Sequence, residues 1–145
     1  MENWNGYDTP LRMLLVEDDR ELRTLLAEIF AADGFSVVAV GTGIDLLRWL
    51  EPSLFEEEEE QFDVVVSDVR IPGFTALEVL SGLPFGARPP VVLITAFGDE
   101  ALHRHARALG AAAVFDKPFE VDDLRTTVAN LAAPPRHARQ RVPTP

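Results

Sequence analysis

Apolar residues along the chain fall into five short runs, each followed by a stretch whose apolar positions recur every three or four residues. The runs are Leu11–Val16 (LRMLLV), Phe35–Val40 (FSVVAV), Phe62–Ser67 (FDVVVS), Val91–Thr95 (VVLIT) and Ala112–Asp116 (AAVFD). Most are nearly continuous rather than alternating. A strand covered by helices on both faces has no polar face to show, so runs of this kind predict a parallel sheet between two helical layers. The stretches between them supply the helices. Leu22, Leu25, Leu26 and Ile29 lie at helical spacing, with Gly34 placed to close the helix in a left-handed cap. Ile44–Leu50 stops before Pro52, Ala76–Leu83 precedes a Pro- and Gly-rich loop, Asp99–Leu109 ends at Gly110, and Val121–Leu131 ends before Pro134-Pro135. Strand–helix units in succession, without an internal repeat, predict an α/β fold: a doubly wound parallel sheet with right-handed crossovers.

In such sheets ligands sit beyond the carboxyl ends of the strands, near the point where the strand order reverses. Those ends are charged here. The first run leads into Glu17-Asp18-Asp19, the third into Asp68, the fourth into Thr95-Ala96 and the fifth into Asp116-Lys117-Pro118-Phe119. A carboxylate at the end of a buried valine run is costly unless it is paired or bound to a cation. Several carboxylates a few ångströms apart repel one another, so the cluster predicts a cation among them. A set of oxygen ligands without His or Cys points to a hard ion, Mg²⁺ first of all, which keeps waters and shares itself with a phosphate. Lys117 is the only lysine in the chain. A compact ammonium at a strand end suits a phosphoryl oxygen or a carboxylate.

Composition narrows the function classes. At 145 residues the length suits one domain with one core. There is no cysteine, which excludes disulfides, thiolate metal sites and cysteine nucleophiles. The formal charge of -11 argues against direct DNA binding, which needs a basic footprint. No apolar run is long enough to span a membrane, and residues 1–10 lack the basic start and apolar centre of a signal peptide. The expectation is a soluble, cytoplasmic protein with no membrane attachment. Glu56–Glu60 reads as a solvated loop, and the proline-rich basic end, residues 133–145, as a disordered tail. His103 and His105 are two apart on a helix and cannot pair as metal ligands; with Arg104 and Arg107 they read as a basic, exposed patch.

Glu17-Asp18, Asp68, Thr95 and Lys117-Pro118, each at the end of a different strand and in this order, resemble the receiver domain of two-component response regulators. The resemblance covers residues 11–132, with 1–10 as an N-terminal extension. It implies a flavodoxin-like (βα)5 fold with strand order 2-1-3-4-5, in a stand-alone single-domain form. Asp68 would be the phospho-acceptor, taking a phosphoryl group from a histidine kinase, a histidine phosphotransfer protein or a small phosphodonor. Asp18 and Asp68 would hold Mg²⁺ directly, Glu17 largely through water, and the backbone carbonyl of Arg70 would add an oxygen. Lys117 would pair with Asp68 and then with the phosphate, and Thr95 would bond the phosphoryl oxygen. The Lys117-Pro118 bond is expected to be cis. Such a protein is not an enzyme beyond catalysing its own phosphorylation and dephosphorylation. Its signal would reach a protein partner through the fourth helix, fifth strand and fifth helix; a phosphorylation-dependent dimer is a further arrangement the resemblance allows.

Two positions depart from the family pattern. The aromatic switch residue three positions before the lysine is Val114 here, with Phe115 beside it, so the switch set reads Thr95, Val114 and Phe115. The Asp-Gly pair that commonly follows the β-turn proline is Thr75-Ala76. Arg70 and Phe97, two residues past Asp68 and Thr95, flank the predicted site and would slow water attack on a phosphoryl group. A receiver-like binding module that works without phosphorylation stays open as the alternative. A phosphatase with a strand-end Asp would need a second acid where Arg70 stands. A nucleotide-binding sheet would need glycines where Glu17-Asp18-Asp19 stand, and Gly41-Thr42-Gly43 is too short a motif to replace them.

Overall fold

The computed structural model describes residues 10–55, 61–83 and 88–133. The five apolar runs form β1 (Arg12–Val16), β2 (Ser36–Val40), β3 (Val64–Asp68), β4 (Val91–Thr95) and β5 (Ala113–Asp116). Between and after them lie α1 (Arg20–Ala32), α2 (Gly43–Leu50), α3 (Ala76–Ser81), α4 (Glu100–Ala108) and α5 (Val121–Ala132). The strands make one parallel sheet in the order β2-β1-β3-β4-β5. This is the doubly wound, flavodoxin-like order expected of the chain.

Successive strand residues point to opposite faces, so each continuous run feeds two cores. Leu14, Val16, Val65 and Leu93 face one way, with Leu46, Val79, Leu80 and Ala106 of α2, α3 and α4. Met13, Leu15, Val64, Val66, Val92 and Ile94 face the other way, with Leu26 and Phe30 of α1 and Leu124 and Val128 of α5. The three central strands are almost wholly buried, whereas the edge strands β2 and β5 are only partly covered.

The differences from the sequence reading lie at element ends. β3 starts later than expected, because Asp63 is held outside the ladder: its side chain accepts from the Arg12 N–H at 2.7 Å while its own N–H donates to the Arg12 carbonyl at 2.8 Å. β3 also ends later than expected: Asp68 pairs with Ile94 of β4 and is the last residue of the strand itself. α2 does not simply stop at Pro52; a 3-10 turn, Pro52–Phe55, follows it. α3 ends at Ser81, where Gly82 takes the cap. Gly34, at φ 103°, closes α1 as expected. The glutamate run 56–60, the tail from 134 and nearly all of the N-terminal extension fall outside the described residues. Among the described residues no helix is long and apolar enough to cross a membrane.

Candidate functional site

The connection leaving β1 runs outward to β2 and the one leaving β3 runs the other way to β4, so a crevice opens between the carboxyl ends of β1 and β3. Glu17 and Asp18 follow β1, Asp68 ends β3, Thr95 ends β4 and Lys117 follows β5. Glu17 is 2 % exposed, Asp68 6 % and Thr95 0 %, while Asp18 stands at the solvent edge. One carboxylate oxygen from each of Glu17, Asp18 and Asp68 lies within 4.8 Å of the others. Three hard oxygen donors this close, with no nitrogen or sulfur ligand among them, fit a divalent cation of the Mg²⁺ kind.

Lys117 spans the inner side of the cluster. Its Nζ donates to Asp68 Oδ2 at 2.8 Å and to Glu17 Oε1 at 3.2 Å. The other oxygens are also held: Asp68 Oδ1 accepts from the Arg70 N–H at 3.2 Å, and Glu17 Oε2 from the Asp19 N–H at 3.0 Å. Burial pushes the Glu17 carboxyl above its usual range; the Asp19 N–H works against that shift and the charge of Asp68 adds to it. Burial alone would lower the Lys117 ammonium, but the hydrogen bond and charge of Asp68, then those of Glu17, outweigh it and hold the group above an ordinary lysine. The Lys117-Pro118 peptide is cis.

Thr95 is held at the mouth of β4. Its Oγ1 accepts from the Phe97 N–H at 3.1 Å, and its carbonyl accepts from the Lys117 N–H at 2.8 Å. The Arg70 guanidinium stacks over the Phe97 ring, 5.0 Å from its centroid, and Phe97 is 68 % exposed. Of the remaining candidates, Val114 packs on the sheet face that carries α4, while Phe115 packs on the opposite face. There its ring meets Phe119 edge-on at 6.3 Å.

Some contacts around the site lie outside the sequence expectations. The Arg23 guanidinium of α1 donates to the Glu17 carbonyl at 2.7 Å, bracing the acidic loop. Gly41 leaves room for it, since a Cβ there would lie 2.8 Å from Arg23 Nη1. His103 is not part of the solvated basic patch: its Nε2 lies 3.0 Å from Asp116 Oδ1, whereas Arg104, His105 and Arg107 are exposed as expected. Helix phase was the available clue, because residues two apart point in different directions.

The chain is 29% identical over 118 residues to sporulation initiation phosphotransferase F of Bacillus subtilis (strain 168), spanning 81% of this chain and 90% of that protein. It is 33% identical over 113 residues to the transcriptional regulatory protein CpxR of Escherichia coli (strain K12), spanning 78% of this chain but 45% of that one. It thus covers about half of that regulator's length. Among solved structures, the signal receiver domain of a Luxo repressor protein from Vibrio parahaemolyticus superimposes with a TM-score of 0.72 at 27% identity, over 86% of this chain and 90% of that one. The receiver domain of the sensor histidine kinase PA1611 from Pseudomonas aeruginosa PAO1, described with a magnesium ion coordinated in its active site cleft, has a TM-score of 0.70 at 21% identity. At that identity it speaks for the fold: 98% of that chain and 86% of this one align. The family model of the response regulator receiver domain matches residues 13–129, and the chain belongs to that family.

Proposed function

We propose that this receiver domain accepts a phosphoryl group on Asp68 in a Mg²⁺-dependent reaction and passes the resulting change in shape to a protein partner. The observation that carries the reading is the setting of Asp68: nearly buried at the end of β3, one oxygen on Lys117, and within 4.8 Å of two further carboxylate donors. An Asp68 oxygen attacks phosphorus, the bond from phosphorus to the donor's leaving group breaks, and that group departs with the bonding electron pair. With a histidine donor the imidazole leaves; with acetyl phosphate, acetate leaves. Asp18 and Asp68 would hold Mg²⁺ directly, with Glu17 acting through water and the Arg70 carbonyl as a further oxygen. When bound, the ion neutralises charge on the phosphoryl oxygens.

The protein's own groups do the positioning. Lys117 releases Asp68 Oδ2 to the reaction and stays as counter-charge to the phosphoryl oxygens. Thr95 turns its hydroxyl from the Phe97 N–H toward the new phosphoryl group. Arg70 and Phe97, stacked at the rim, restrict water and so slow loss of the phosphoryl group. Receiver domains of two-component systems work between histidine kinases or phosphotransfer proteins and downstream partners. For this chain the outgoing contact is assigned to α4, β5 and α5, and direct DNA binding is not part of the role.

The test is intact-mass spectrometry after incubation with acetyl phosphate or phosphoramidate, with and without Mg²⁺, on the wild type and on Asp68→Asn. A gain of one phosphoryl group that needs Mg²⁺ and vanishes in Asp68→Asn is expected. No adduct, together with a silent beryllofluoride titration, would favour a receiver-like module that binds partners without phosphorylation, which Val114 at the usual aromatic position also suits.

A further inference from the structure

From the contacts around Gly98 we infer that His103 and Asp116 form a latch between α4 and β5 that opposes movement of Thr95, making His103 a positioning residue for phosphoryl signalling. The role rests on the reading of Asp68 as phospho-acceptor. Asp116 is the register partner of Thr95 across β4 and β5, and it directly precedes Lys117. Its Oδ1 lies 3.0 Å from His103 Nε2 on α4, a contact that the neutral Nε2–H tautomer makes as well as the imidazolium does. The His103 side chain is 21 % exposed and that of Asp116 53 %, so the bond lies at the surface with its histidine end the more covered.

Gly98 sits where these groups meet. A Cβ at that position would stand 2.0 Å from Asp116 Oδ1, 2.8 Å from Thr95 Cγ2 and 3.0 Å from His103 Nε2. The Gly98 backbone therefore touches, at once, the methyl of the residue that must turn and both members of the latch. Turning the Thr95 hydroxyl away from the Phe97 N–H also moves its methyl out of its present place against Gly98, so the groups packed around Gly98 must repack. That repacking includes the Asp116 carboxylate, which stands against Gly98 and which His103 pins from α4. The same contact carries the movement outward: when Asp116 shifts, α4 loses its bond to the strand end. Val114, which packs on the α4 side without a ring, offers no comparable polar tie.

A hydrogen bond of this kind contributes a net amount equivalent to roughly a three- to ten-fold change in an equilibrium. The experiment is a beryllofluoride titration in Mg²⁺ followed by NMR, on the wild type, His103→Ala and His103→Gln, with amide exchange measured on each unliganded protein. His103→Ala is expected to bind beryllofluoride roughly three- to ten-fold more tightly, because the latch no longer resists the shift. Its α4 amides should exchange faster by a similar factor. His103→Gln, whose side-chain amide can still donate to Asp116, should return both toward wild type, which a loss of packing alone would not do. Wild-type affinity in His103→Ala, or a Gln variant that behaves like Ala, overturns the latch and leaves the phospho-acceptor standing. A wild type that binds no beryllofluoride overturns the phospho-acceptor and, with it, the signalling role of the latch; unchanged α4 exchange in His103→Ala overturns the tether by itself.

Discussion

Replacing Lys117 by methionine removes one charge from the centre of the site while keeping much of its volume, and the consequence can be worked from the geometry. Glu17 and Asp68 are 2 % and 6 % exposed, and both lean on the Lys117 ammonium, at 3.2 and 2.8 Å. Without it, two carboxylates whose oxygens lie within 4.8 Å repel by about 3.5 kcal/mol at an effective dielectric near 20. The exposed side of the crevice screens part of this, and Glu17 can escape by taking up a proton. The expected cost at pH 7, without divalent cation, is about 2–3 kcal/mol of folding stability, somewhat below the roughly 3–5 kcal/mol typical of breaking a fully buried pair. The assay is urea unfolding in chelator, on a cycle of wild type, Lys117→Met, Asp68→Asn and the double variant. In the Asp68→Asn background the lysine substitution should cost at least about 1 kcal/mol less, because one of the two stranded charges is already gone. The pH dependence has a definite sign. Glu17 is raised above 4.5 in the folded protein, so the stability linked to its proton is present below 4.5 and is lost as pH rises through the folded value. The penalty of Lys117→Met should therefore shrink as pH is lowered from 7 toward 4.5. Excess Mg²⁺ should rescue the variant more than the wild type, since a bound cation replaces the missing counter-charge. Equal costs of Lys117→Met in both Asp68 backgrounds, or a penalty that does not change with pH, would refute the charge argument.

Two further outcomes follow from the same geometry. Lys117 is raised above 10.5, so its contribution is fully present below 10.5 and is lost as pH rises through the folded value; the urea midpoint should fall in that alkaline range for the wild type and much less for Lys117→Met. Gly43→Ala places a Cβ 1.9 Å from the Phe74 carbonyl oxygen, in a contact between α2 and the loop after β3 that the Gly43 N–H to Pro72 bond of 2.8 Å holds closed. Backbone cannot swing aside as a side-chain tip can, so thermal or urea unfolding should show a loss of about 1–3 kcal/mol. A loss below about 0.5 kcal/mol would mean that the loop moves freely there.

The parts of the fold and site that were legible in the sequence share one property: each is written locally and repeated. The five apolar runs announce a sheet covered on both faces because a strand in that position has no polar side, and the acidic residues stand out because they end such runs. Asp68 was readable for this reason, since a carboxylate closing the run Val64-Val65-Val66-Ser67 contradicts its surroundings. The contacts that escaped link residues with no local pattern between them. Arg23 reaches the Glu17 carbonyl only because Gly41, on a different crossover, leaves the space. His103 is the instructive case. A helix turns about 100° per residue, so His103 and His105 point about 200° apart, and a basic patch containing both cannot lie wholly in solvent if α4 packs on the sheet. Ala106, three residues after His103, is fully buried, which turns that side of α4 toward β5 and carries the His103 ring to Asp116, while His105 stays outside. Charge composition groups the two histidines, and helix phase separates them. Only the second reading places a polar tie between α4 and the strand that carries Lys117, and that placement is what makes the coupling of Thr95 to α4 a question about one hydrogen bond.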